Sequence, residues 1–192
     1  MKSTSELFAI CTMDGKHFES SMNLIDYFSE YAIMKYYLKA CCEYYIYVCN
    51  IDETPCENFS IEEIMHIKSL YTDYDIETAK QIKQLQIKYQ SLFFAINNYI
   101  KSKIDKNRSW VNFGISDSDI QSLSLSLRLK DYKLLLSNSM KDIDYQMDYF
   151  IEKYQNTTFI TRINSMPSMP SSISHIFKTY KERLMRISTE FH

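Results

Sequence analysis

Two glycines and three prolines in 192 residues leave this chain almost no means of turning sharply. An ordinary chain carries about 7% and 5% of them. Glycine-rich barrel corners, tight hairpins and phosphate-cradling loops all depend on glycine. No P-loop, G-x-G-x-x-G turn or G-x-S-x-G elbow occurs. Long helices are what remains, and the 45% apolar content is enough to bury a core in one domain, or in one domain with an extension.

Charge and cysteine usage narrow the class further. The 22 basic and 24 acidic residues leave a net charge of −2, against a broad nucleic-acid surface. The short apolar run Leu7 to Cys11 is preceded by Glu6 and is no secretory signal. Ala32 to Ile51 is interrupted by Lys35, Lys39 and Glu43, so no membrane span is expected. Cys11, Cys41, Cys42, Cys49 and Cys56 are odd in number and form no C-x-x-C pair, which fits reduced thiols in a cytoplasmic setting. Cys41 and Cys42 are expected to point in different directions on their helix. Cys49, Cys56 and His66 are the conceivable metal set, although zinc sites space their ligands more tightly. No cofactor is expected.

Helical periodicity runs through the chain. Met34, Leu38, Cys41, Tyr45 and Val48 recur at steps of three or four. Ser60-Ile-Glu-Glu63 reads as a capping box opening a short helix with Ile61, Ile64 and Met65. Ile82, Leu85, Tyr89, Leu92, Ile96 and Tyr99 mark one stripe on a single longer helix, ended softly by Asp105 to Arg108. Ser116 to Asp119 offers caps, with Asp117 and Asp119 suited to the positive end of a helix dipole rather than to acid–base work. From there Leu129, Tyr132, Leu136, Met140, Ile143, Met147, Phe150 and Tyr154 form a seam on a helix predicted from Asp117 to Gln155. Ser122 to Leu127 alternates at period two, but its flanks are helical. A proline-bearing linker at 156–170 reverses the chain, its prolines falling between Arg162 and Pro170. Ile173, Phe177, Tyr180, Leu184, Ile187 and Phe191 then repeat the seam to the last residue, so that the chain stops inside its pattern. Two helices cannot close a core around stripes of that length, which points to oligomerisation.

Three segments, collinear and suitably spaced, resemble the adenylosuccinate lyases of the aspartase/fumarase superfamily. Met13-Asp-Gly-Lys-His17 with Phe28-Ser-Glu-Tyr-Ala-Ile-Met-Lys35 is similar to V-D-G-R-Y followed by F-S-E-Y-x-L-x-K. Asn112-Phe-Gly-Ile-Ser-Asp-Ser-Asp-Ile-Gln-Ser-Leu-Ser124 resembles H-F-A-C-T-S-E-D-I-N-N-L-S. Thr161-Arg-Ile-Asn-Ser-Met-Pro-Ser-Met-Pro-Ser-Ser-Ile173 resembles S-R-T-H-G-Q-P-A-T-P-S-T-I. The resemblance implies an all-α fold: a helical N-terminal domain (1–110), then two long antiparallel bundle helices of the aspartase/fumarase type (111–192). It also implies a truncated relative, without the later loop whose Ser serves the family as general base. In the family, tetramers form when the central helices of four subunits pack together.

The same resemblance places altered residues where the family does its chemistry. The general acid His falls on Asn164, whose amide cannot donate and recover a proton near pH 7. The neighbouring Gln falls on Met166. The Thr-Ser pair that grips the dicarboxylate falls on Ser116 and Asp117, and a carboxylate there repels a dianion. An upstream active-site His falls on Ser91. The phosphate-facing Arg-Tyr pair becomes Lys16 and His17, the mildest change. Asp14, Gly15, Arg162, Pro167 and Pro170 survive.

Other features have plainer readings. His17, His66, His175 and His192 are too scattered for a dyad. Lys178, Lys181, Arg183 and Arg186 balance Glu182 and Glu190 on a solvated helix face. Tyr36, Tyr37, Tyr44, Tyr45 and Tyr47 form a half-buried core run. The expected function is therefore association without catalysis, through Leu136, Met140, Ile143, Met147, Phe150, Tyr180, Leu184 and Ile187. Its partner would be another copy or a full-length lyase-like protein, not nucleic acid or a membrane. The alternative is a lyase of purine nucleotide biosynthesis, active only when another chain supplies the missing domains. A third reading is a helical scaffold whose ancestry no longer bears on its role.

Overall fold

A computed structural model describes residues 6–11, 14–51 and 54–190, with Gly15 and Lys16 described in backbone only. Helix dominates them. In chain order they form α1 (Asp14–Ser21), α2 (Ile25–Phe28), α3 (Glu30–Cys49), α4 (Ile61–Thr72), α5 (Ile76–Tyr89) and α6 (Leu92–Lys103). The 37-residue α7 (Asp117–Lys153) follows, then strands β1 (Thr158–Ile163) and β2 (Met166–Ser172), then α8 (Ile173–Glu190). The chain divides into two compact units, Met1–Leu129 and Lys130–His192, with the division inside α7.

Helix α3 is the axis of the first unit. Its sequence is apolar on nearly every side, as a helix enclosed by others must be. Helices α2, α4, α5 and α6 pack around it. Met34, Leu38, Cys41, Tyr45 and Val48 are all buried on it, as their spacing predicts. Cys41 and Cys42 diverge around the helix, yet both are fully buried because α3 has neighbours on both sides. The tyrosine run divides: Tyr37 and Tyr45 are core, Tyr36 and Tyr44 half-buried, and Tyr47 is exposed. Ser29 starts the helix, its buried hydroxyl accepting from the Ala32 N–H at 3.2 Å and donating to the Ile25 carbonyl at 2.6 Å. The predicted box at Ser60 and Glu63 is present in both directions and opens α4.

The stripe from Ile82 to Tyr99 is carried by two helices, not one. Gln90 turns left-handed (φ 52°) to end α5, and the Ser91 hydroxyl accepts from the Phe94 N–H at 3.4 Å to start α6. The pair packs as a helical hairpin, so Ile82 on α5 and Ile96 and Tyr99 on α6 all reach the core, while Tyr89 at the break is exposed.

In the second unit the C-terminal part of α7 meets α8. Phe150 stacks on Phe177 with centroids 5.2 Å apart. Lys181 reaches Asp148 at 2.5 Å and Asp144 at 3.2 Å. Contacts thus step backwards along α7 as they advance along α8, so the helices run antiparallel. The linker between them is a β-hairpin: β1 and β2 pair antiparallel from Thr158↔Ser172 to Ile163↔Met166, with an irregularity between Ile160 and Arg162. Asn164 and Ser165 form its tip, both left-handed (φ 49° and 67°), the conformation a two-residue hairpin turn requires. Pro167 and Pro170 are tolerated because each strand of a two-stranded sheet is an edge.

Candidate functional site

The first motif proves architectural where it is described. Asp14 accepts from the Ile10 N–H, from the Cys11 N–H at 3.2 Å and from the Cys11 thiol at 3.4 Å. The Ile10 amide, chief among these, holds its carboxyl below the usual range. Ser29 caps α3, Glu30 pairs with Lys83, and Tyr31 donates to the Tyr74 carbonyl at 2.9 Å. His17 is exposed at a kink in α1 (φ −119°, ψ 22°). The Lys16 side chain lies outside the described residues.

The second motif closes on itself. Ser116 and Asp119 cap α7 reciprocally: the Ser116 hydroxyl accepts from the Asp119 N–H at 3.2 Å, and the Asp119 carboxylate accepts from the Ser116 N–H at 3.1 Å. The Ser116 hydroxyl also donates to that carboxylate at 2.6 Å and, with the backbone amide, holds the Asp119 carboxyl below its ordinary range. Asp117 accepts from the Tyr37 hydroxyl and from Gln121 Nε2 at 3.2 Å. Burial, and then that hydrogen bond, push the Tyr37 phenol well above its usual value. Asn112 is buried on a left-handed backbone (φ 58°), and its amide donates to Asn97 and, at 3.4 Å, to the Cys41 sulfur. Ser91 is spent as the α6 cap.

In the second unit Asn164 stands at the hairpin tip, exposed, beside an exposed Met166. Ser165 occupies the motif's glycine position and keeps the positive φ that a glycine adopts at no steric cost. The residues of the conceivable metal set have other surroundings. Cys49 is buried in the core, Cys56 is half-buried, and His66 Nε2 lies 3.1 Å from the Lys103 carbonyl. Among the described residues no group of three or more His, Cys, Asp or Glu is placed to hold a metal ion.

The seams are surfaces. Leu136, Met140, Met147, Phe150 and Leu184 are half-buried; Ile143, Tyr180 and Ile187 are exposed. Phe150 is committed within its own unit, stacked on Phe177. Phe191 and His192 lie outside the described residues. Lys181 corrects the solvated-face expectation. Its side chain keeps only 19% of its exposure between Asp144 and Asp148, and the hydrogen bond to Asp148, with the charge of both carboxylates, raises its pKa. The i, i+4 spacing of those two carboxylates was the available signal. Lys178, Arg183 and Arg186 are exposed as expected. No described helix is long and apolar enough to cross a membrane.

No family model matches the chain. The adenylosuccinate lyase of Dictyostelium discoideum is 24% identical to it over 191 residues, covering 94% of this chain and 41% of that protein. The adenylosuccinate lyase of Buchnera aphidicola subsp. Baizongia pistaciae is 27% identical over 207 residues, covering 97% and 42%. Among solved structures, a fumarate lyase from Mesorhizobium sp. BNC1 superposes with a TM-score of 0.67 at 10% identity, over 88% of this chain and 39% of that one. The β-carboxy-cis,cis-muconate cycloisomerase of Acinetobacter calcoaceticus sp. ADP1 gives 0.67 at 12%, over the same shares. The chain is thus similar to adenylosuccinate lyases along nearly all its own length and shares the predominantly helical fold of that superfamily. It spans about 41% of the length of the curated relatives it matches.

Proposed function

We propose that this adenylosuccinate lyase-like chain is catalytically silent and acts by association, with copies of itself or with a lyase oligomer, in a reducing cytoplasm. One observation carries the reading. Among the described residues of 130–192, Ser174 is the only one fully buried, so two helices and a hairpin enclose no apolar side chain of their own. A seam in that state gains by meeting another. About 1 kcal/mol from each half-exposed seam side chain on each of two copies offsets an association cost of roughly 4–15 kcal/mol. The silent part of the reading is supported by where the altered residues sit. Asn164 is a turn residue, Ser91 and Ser116 are helix caps, and the Asp117 carboxylate is held by Tyr37 and Gln121.

Sedimentation velocity on two variants tests the surface. Ile143→Glu puts a charge into the seam and should dissociate the assembly. Lys141→Glu, at an exposed position outside the seam, should leave it intact. Equal sedimentation of Ile143→Glu and the parent chain would contradict the assignment.

A further inference from the structure

Beneath the first turns of α7, a cavity of about 520 Å³ opens against α3 and the start of α6, entirely within residues 1–129. Ile33, Leu92 and Leu125 give it apolar walls, and Ser118 and Ser122, four residues apart on one helix face, give it hydroxyls. Among the described residues, Arg128 is the one charged residue lining it. Its guanidinium carbon lies 5.7 Å from the centroid of the Phe28 ring, a cation–π contact. The Arg128 Nε is buried and has no hydrogen-bond partner among the described residues. An unpaired buried donor on a charged group is costly to leave so.

A guanidinium beside a ring, with an unpartnered Nε and lining a cavity with apolar walls, recognises a planar anion of single charge. The fork of N–H donors matches a carboxylate in two parallel hydrogen bonds. One positive charge balances one negative charge; a second negative charge would be left without a partner against the apolar walls. We propose that this cavity binds a small monocarboxylate with an apolar body, its carboxylate seated on Arg128 and its body against Ile33, Leu92 and Leu125. The site is independent of whether the chain associates.

Calorimetric titration of the full chain with benzoate and with benzamide, its uncharged counterpart of the same shape, tests this. Benzoate should bind at least about tenfold tighter than benzamide, and Arg128→Met should abolish that preference. Arg128→Lys keeps the charge without the fork and should fall between the two, which carries the test if Arg128→Met loses its helical circular dichroism. Inorganic phosphate and succinate should bind more weakly than benzoate. Equal binding of benzoate and benzamide, no benzoate binding, tighter binding of phosphate or succinate, or parental affinity in Arg128→Met or Arg128→Lys would each overturn the proposal.

Discussion

Cys41 and Cys49 show what burial does to a single group. Both thiols are pushed up to about 12, chiefly by loss of water around them. In the unfolded chain they titrate near the ordinary 9.0. Above that pH the unfolded state holds fewer protons than the folded one. Their contribution to stability is therefore complete below about pH 9 and is lost as pH rises toward 12. Alkaline unfolding followed by circular dichroism should fall less steeply over that window in Cys41→Ala, and an unchanged slope would contradict the assignment. The same burial orders reactivity. A thiol reagent should label exposed Cys11 first and half-buried Cys56 more slowly, reaching Cys41, Cys42 and Cys49 only on unfolding. At the hairpin tip the residue choice is conformational: Asn164 is one of the few non-glycine types that enter the left-handed region readily.

Elements were legible wherever a cap and a period agreed. Helix α7 begins at the predicted Asp117 and ends at Lys153, two residues short of the expected Gln155, because the Ser116–Asp119 box sets its start and the seam continues unbroken. The α5–α6 break was hidden, since Gln90 turns the chain without glycine or proline and the stripe keeps its period across the turn. The β-hairpin was hidden for the opposite reason: Pro167 and Pro170 argue against strands except at edges, and a lone hairpin is all edge. Lys181 was misread because its partners lie on another helix. Replacing it by Met leaves Asp144 and Asp148 facing each other without a counter-charge, and should cost about 1 kcal/mol in urea unfolding. Lys178→Met, at an exposed position with no such pair, should cost nothing measurable. Equal effects would remove the ion-pair argument.

For the whole molecule, the residues that match the lyase motifs and those that depart from them have separate physical roles. Asp14, Ser29, Glu30 and Tyr31 staple, cap and brace, and they hold the fold that superposes on the superfamily. Ser91, Asp117, Asn164 and Met166 stand where the resemblance puts chemistry, and they are a helix cap, a brace, an exposed turn residue and an exposed strand residue. The pure chain should therefore show no turnover of adenylosuccinate even in large molar excess. Asn164→His should not restore it, because one acid supplies only about 10²–10⁴-fold and Met166, Asp117 and Ser91 remain. Turnover by the pure chain, abolished by changing Lys16 or His17, would overturn the catalytically silent reading. Association is the central claim, and it rests on a second unit whose described residues include no fully buried apolar side chain. Light scattering of the purified chain across a dilution series in the micromolar range tests it most directly. The account predicts a mass of at least a dimer that falls on dilution, whereas a monomer mass at every concentration would contradict it.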